Sequence, residues 1–257
     1  MTEAIEQGHV HSEISETGIA TIEFGHPSSN SLPGKILQKL ADTINLMGEN
    51  QKVNVIILRS SGSKAFCAGA SFDELISIKN LEVGKIFFSG FANVINACRK
   101  SPKLILGRVQ GKAVGGGVGI ASAVDYCFAT KHADVKLSEL AVGIGPFVVG
   151  PVIQRKIGLS AMSQLAINAS EWRTANWACK HGLYSDVYDT EEEMDIEINK
   201  LADKLATSNP DAMSKLKSIF WEGTDHWDSL LIERAEISGK LVLSDFTIQA
   251  INSFKNK

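Results

Sequence analysis

The sequence predicts an α/β protein. Three features carry that reading: a strand–helix–strand order near the start, two apolar runs of the kind found in strands covered on both faces, and helical periodicity after about residue 160. In "GIATIEF" (18–24), Ala20, Ile22 and Phe24 alternate with Thr21 and Glu23, the pattern of a half-buried strand. "HPSSNSLPG" breaks the chain. Pro33 then stands in the first turn of a helix carrying Leu37, Leu40, Ile44 and Met47 on one side, with Gly48 at its end. "VNVIILRS" (53–60) and "KLILGRV" (103–109) are the two apolar runs, with a helix over about 84–99 between them. "YCFAT" (126–130) reads as a further strand, with a short one near Val135–Leu137. The clearest helix is 191–206. Thr190 and Glu193 form its capping box, Glu191 and Glu192 sit in its positive first turn, and Met194, Ile198, Leu201 and Leu205 form its apolar stripe. Asn209–Pro210 stops it, and 226–254 is again helical in pattern. The economical division is an α/β core over residues 1–190 and a helical region over 191–257.

Composition narrows the function classes. A chain of 257 residues with 44% apolar and 21% charged side chains fits a soluble globular protein with a substantial core. A net charge of −3 offers no broad basic field to nucleic acid or to an anionic membrane. Cys67, Cys98, Cys127 and Cys179 are far apart, with no CxxC pair and no histidine cluster beside them. Reduced, mostly buried thiols are therefore expected, rather than a disulfide framework or a metal site. The opening "MTEAIEQGHVHSEISE" has neither a basic nor an apolar leader segment, and no apolar run is long enough to span a bilayer. A cytoplasmic protein is expected.

"GKAVGGGVGI" (111–120) places glycines at 115, 116, 117 and 119 where a helix should begin. Each costs about 1 kcal/mol relative to alanine inside a helix, so the cluster needs a cause. Three causes fit: a phosphate cradle, an oxyanion hole built from the unpaired N–H groups of the first turn, or close packing of helix on strand. The phosphate cradle is the weakest, because neither GxxxxGK[ST] nor GxGxxG with a downstream acidic residue is present. "KAFCAGASFDEL" (64–75) brings a second small-residue junction, Ala68-Gly69-Ala70, to the end of a strand. Two such junctions are what a two-donor oxyanion hole needs.

Taken together, "AFCAGAS", "VQGKAVGGGVGIASAVDYCFAT" and "LSELAVGIGP", followed by "ANWACKHGLYSDVY" (175–188), resemble the enoyl-CoA hydratase/isomerase family, the crotonases. The likeness runs from about residue 14 to the end. It implies a crotonase-like spiral of repeated ββα units with a helical C-terminal trimerisation region, assembled as a homotrimer or hexamer and acting on an acyl-CoA thioester. It implies that the N–H groups of Ala70 and Gly116 form the oxyanion hole, and that the backbone around Ala68 holds the CoA adenine. No metal and no redox cofactor is implied; coenzyme A arrives as part of the substrate.

Family hydratases carry two glutamates. At the first position this chain has Gly119, and at the second, twenty residues on, Glu139. A lone glutamate is ordinarily a solvated surface charge. At this position, beside an apolar proline-containing turn, Glu139 is the candidate base, and partial burial would lift its pKa toward the working pH. One base suffices to move a proton from Cα to Cγ, so the loss at 119 favours 3-enoyl to 2-enoyl isomerisation. The alternatives are a hydratase of fatty-acid or branched-chain acid breakdown, and an acyl-CoA-binding homologue without turnover. Ser71 stands where the family usually has aspartate, and Asp73 and Glu74 read as helix N-terminal charges. Ser138 reads as a turn cap or, less ordinarily, a substrate contact. His132 and His181 read as surface residues, and Trp172 and Trp177 as packing in the core or at a subunit interface.

Overall fold

The chain repeats one unit: a long strand enters a main sheet, a short strand turns away from its end, and a helix returns. In the computed structural model, which describes residues 7–255, an added strand β1 (His9–Ile14) precedes the first unit. That unit is β2 (Ile19–Gly25), β3 (Ser31–Leu32) and α1 (Gly34–Glu49). The second is β4 (Val55–Ser60), β5 (Ala65–Cys67), β6 (Gly69–Ala70), α2 (Phe72–Leu75) and α3 (Leu81–Lys100). The third is β7 (Leu104–Val109), β8 (Lys112–Val114) and α4 (Gly116–Ala123), and β9 (Tyr126–Thr130) and β10 (Val135–Lys136) follow. A 3-10 turn over Glu139–Val142 leads to α5 (Gly150–Ile167), α6 (Ala175–Lys180) and β11 (Asp186–Tyr188). The remainder is helical: α7 (Glu191–Ala206), α8 (Pro210–Phe220), α9 (Trp227–Leu241) and α10 (Asp245–Lys255).

The main sheet runs β1-β2-β4-β7-β9-β11, parallel throughout except for β1, which pairs antiparallel with β2. The short strands form a second parallel sheet, β10-β8-β5, and a separate β3-β6 pair. This is the spiral of ββα units. Strand β1 has no apolar alternation, and only Val10 of its six residues is buried. An edge strand held by its backbone ladder can keep polar side chains on both faces, which is why its sequence looks like an extension rather than a strand.

Both faces of the sheet are covered, which accounts for the continuous apolar runs. Ile56 and Leu58 of β4 and Ile105 and Val109 of β7 point into the main core. Val55, Ile57 and Leu106 face the opposite side, where Met194, Ile198 and Ala202 of α7 cover them. Arg108 also points that way, and its buried guanidinium pairs with Glu191 and Asp195 at the start of α7. The α7 cap forms with one change. Thr190 Oγ1 accepts the Glu193 N–H at 3.2 Å, but the Glu193 carboxylate reaches the Asp189 N–H rather than that of Thr190.

The helical pattern over 226–254 resolves into two helices with residues 242–244 between them. Among the described residues, no helix is long and apolar enough to cross a membrane.

Candidate active site

Two strand-to-helix junctions meet at one cavity. At the first, Gly69 takes φ +90°, and the Ser31 hydroxyl donates to the Ala70 carbonyl at 2.8 Å. Ser71 then caps α2, its hydroxyl accepting the Glu74 N–H. Asp73 and Glu74 sit in the first turn of α2, and Glu74 serves a second helix as well. Its carboxylate accepts the Gly34 N–H at 2.7 Å, at the N-terminus of α1. The acidic pair after Ser71 therefore belongs to helix ends.

At the second junction the glycine run has a packing cause at each position. A Cβ on Gly116 would lie 2.1 Å from the Phe91 ring, and one on Gly117 would lie 2.3 Å from the Cys67 carbonyl. At Gly119 it would meet Val149 Cγ1 at 2.5 Å. Gly115 takes φ +52°, and a Cβ there would come within 2.9 Å of the Glu139 carboxylate. Protein neighbours thus account for all four glycines. Gly116 is still the first residue of α4, so its N–H has no acceptor within the helix. The two junctions also touch, since a Cβ on Gly69 would sit 3.6 Å from the Gly116 nitrogen.

Glu139 opens the 3-10 turn that ends at Gly143, where φ is +80°. Burial pushes its carboxyl up to about 7, and its own backbone N–H pulls against that shift. Its Oε2 is buried without a hydrogen-bond partner among the described residues. Ser138, just before it, makes no capping bond, so the turn-cap role expected of this hydroxyl is not realised; the side chain lines the cavity instead.

The cavity, of about 160 Å³, is lined by Ala68, Ala70, Gly116 and Glu139 together. Its other walls are apolar and include Phe72, Phe88, Phe91, Phe147 and Val149. Gly119 does not face into it, because Val149, 4% exposed, fills the space a side chain at 119 would need. Ser238 of α9, buried with its hydroxyl on the Arg234 carbonyl, also lines the cavity. Ser238 cannot be found from the sequence, because it reaches the cavity from an element remote in the chain, and Val149, ten residues after Glu139, carries no local pattern that records its contact with Gly119.

Ala68 also lines an adjoining cleft, with Lys64, Lys112, His132 and Trp172. Trp172 is 40% exposed there rather than packed in the core, with the Lys112 and Lys136 ammonium groups 4.8 and 5.5 Å from its ring centre. Trp177 does pack against the core, stacked on His181 at 4.2 Å. His181 is accordingly half-buried, and its ring nitrogen Nδ1 bonds the Trp177 carbonyl. No group of three or more metal-ligating side chains occurs among the described residues.

A sequence model of the enoyl-CoA hydratase/isomerase family matches residues 14–244. The mitochondrial methylglutaconyl-CoA hydratase of Mus musculus is 29% identical over 254 residues, covering 96% of this chain and 80% of that relative. A probable enoyl-CoA hydratase of Bacillus subtilis (strain 168) is 26% identical over 241 residues, 93% of each chain. The solved enoyl-CoA hydratase of Bacillus halodurans shares the fold with a TM-score of 0.87 at 19% identity, covering 95% of this chain and 99% of its own. Motif order, ββα spiral and family match agree: the chain belongs to the enoyl-CoA hydratase/isomerase family of enzymes.

Proposed function

We propose that the protein isomerises 3-enoyl-CoA thioesters to conjugated 2-enoyl-CoA, with Glu139 as its single proton carrier. One observation supports this most: Glu139 is the only titratable side chain among the described residues lining the cavity. The thioester oxygen lies between the N–H groups of Ala70 and Gly116. The Glu139 carboxylate takes a proton from Cα, and the electron pair of the broken C–H bond moves toward the carbonyl, giving a dienolate held by those two donors. The dienolate then forms the Cα–Cβ double bond, while the Cβ–Cγ pair takes the proton back from Glu139 at Cγ. Losing one such donor typically costs on the order of 3 kcal/mol of barrier. The step balances with one carboxyl group, and a pKa near 7 lets that group both accept and return a proton.

Coenzyme A enters as part of the substrate. Its adenine lies against the backbone at Ala68, with the Trp172 ring and the lysines around it offering a stacking face and cations for the phosphates. A homotrimer or hexamer, the assembly the family resemblance implies, goes with this reading.

Hydration is the second reading. The Ser138 hydroxyl beside Glu139 supports it, since that group is free of a capping role and could hold a water, and two relatives are named as hydratases. Incubation with 3-hexenoyl-CoA, followed by chromatography and mass spectrometry, separates the readings. The expected product is 2-hexenoyl-CoA, absent with Glu139→Gln. Accumulation of 3-hydroxyhexanoyl-CoA from 2-hexenoyl-CoA would make the chain a hydratase. Binding without conversion of either ester would leave an acyl-CoA-binding protein.

A further inference from the structure

The catalytic cavity adjoins two other clefts through different residues. Ala68 and Val114 are shared with the cleft around Trp172, and Pro146 and Phe147 are shared with a second cleft. That second cleft, of about 610 Å³, is walled by Pro151, Met162, Trp227 and Leu230, with Gln154, Arg155 and Arg234 beside them. An acyl-CoA entering past Ala68, with its thioester at Ala70 and Gly116, has its acyl chain directed toward the other boundary. What stands there is the Phe147 ring.

The backbone sets that ring in place. The Phe147 N–H donates to the Gly145 carbonyl at 2.7 Å, and the Gly150 N–H donates to the Pro146 carbonyl at 2.7 Å, which makes a tight turn around a proline of fixed φ. The ring then folds over Gly145, with Cζ 2.4 Å from where a Cβ would be. Only glycine at 145 leaves room for this position. Val148 and Val149, which follow, are both buried in the core. The partition is thus one aromatic ring on a tight turn, between the apolar cavity and a cleft lined by both apolar and cationic side chains.

We propose that Phe147 is the specificity-determining end wall of the acyl subsite, closing the catalytic cavity against the second cleft and so limiting acyl chain length. This rests on the acyl-CoA reading given above. Each methylene buried contributes about 0.8 kcal/mol, a gain of about fourfold in affinity, and that gain stops where the chain meets the ring.

The test is a dissociation-constant series for saturated straight-chain acyl-CoAs from butanoyl to dodecanoyl, which bind without turnover. With the natural protein, affinity rises by about fourfold per methylene and then breaks. In Phe147→Ala the break moves to longer chains, and in Phe147→Leu it moves part of the way. Gly145→Ala keeps the ring but removes its seat, and it shifts the break in the same direction. The proposal is overturned if affinity climbs without a break through dodecanoyl-CoA, or if both Phe147 variants keep the natural break. It falls together with the acyl-CoA reading if no ester binds. A break that moves as stated in a protein unable to isomerise 3-hexenoyl-CoA sustains the proposal and overturns only the isomerase assignment.

Discussion

Two sides of the cavity differ in kind. On one side, the turn over Glu139–Val142 presents a carboxyl whose Oε2 has no partner among the described residues and whose pKa burial lifts to about 7. On the other, Gly119 presents no side chain, and Val149 occupies the volume in front of it. The first offers a titratable group; the second offers only an aliphatic side chain. The comparison teaches that position 119 is more than a lost glutamate. It is a packed position, which supports the one-base reading proposed above.

The largest expected effect comes from removing the first wall's chemistry. Glu139→Gln should lower kcat for 3-hexenoyl-CoA by about 10³-fold, within the range general-base loss produces, while the dissociation constant of a saturated acyl-CoA changes little. If turnover survives, the base lies elsewhere. The pH profile sharpens the same point. The ionised form is the base, so kcat/KM should rise tenfold per pH unit below about pH 7 and level off above it.

Stability should follow the opposite sign. The folded chain keeps a proton on Glu139 between about pH 4.5 and 7 that the unfolded chain releases, so this group favours the folded state less as pH rises through that window. Glu139→Gln should therefore raise the unfolding midpoint at pH 8 relative to the natural protein, and leave it nearly unchanged at pH 4. Equal effects at both values would mean that the carboxyl is not held neutral by its surroundings.

The second wall is tested by filling it. Gly119→Glu should destabilise the protein by about 3 kcal/mol, through overpacking against Val149 and burial of a charge, read as a lower denaturant midpoint. Adding Val149→Ala should recover part of that loss and allow 3-hydroxyhexanoyl-CoA to form. If Gly119→Glu alone folds with full stability and hydrates, the wall is not closed. The smallest effect belongs to Ser138→Ala, which removes no capping bond and should change the unfolding free energy by less than about 0.5 kcal/mol.

Much of this fold is legible in the sequence because side-chain period carries it. Strands β2, β4, β7 and β9 bury one or both faces and show it, and α7 announces its start with Thr190. Strand β1 is not legible, because a polar edge strand is specified by backbone pairing rather than by a buried face. Arg108 hides inside an apolar run because its partners, Glu191 and Asp195, lie more than eighty residues away. At the site, the family resemblance points to Ala70, Gly116 and Glu139, and all three line one cavity. The cause of the glycine run is not legible in the same way. Phe91, Cys67 and Val149 press on it from three separate elements, and no local pattern records such contacts.

The most direct test of the one-base account is exchange at the acyl carbons. The natural protein and Glu139→Gln would each be incubated with 3-hexenoyl-CoA in deuterium oxide, and deuterium at Cα and Cγ followed by mass spectrometry. The account predicts 2-hexenoyl-CoA formation with the natural protein, deuterium at Cγ staying below one per molecule because Glu139 returns the proton it took from Cα, and neither product nor label above the solvent background with Glu139→Gln at full substrate occupancy. Exchange at the natural rate without the Glu139 carboxyl would contradict it.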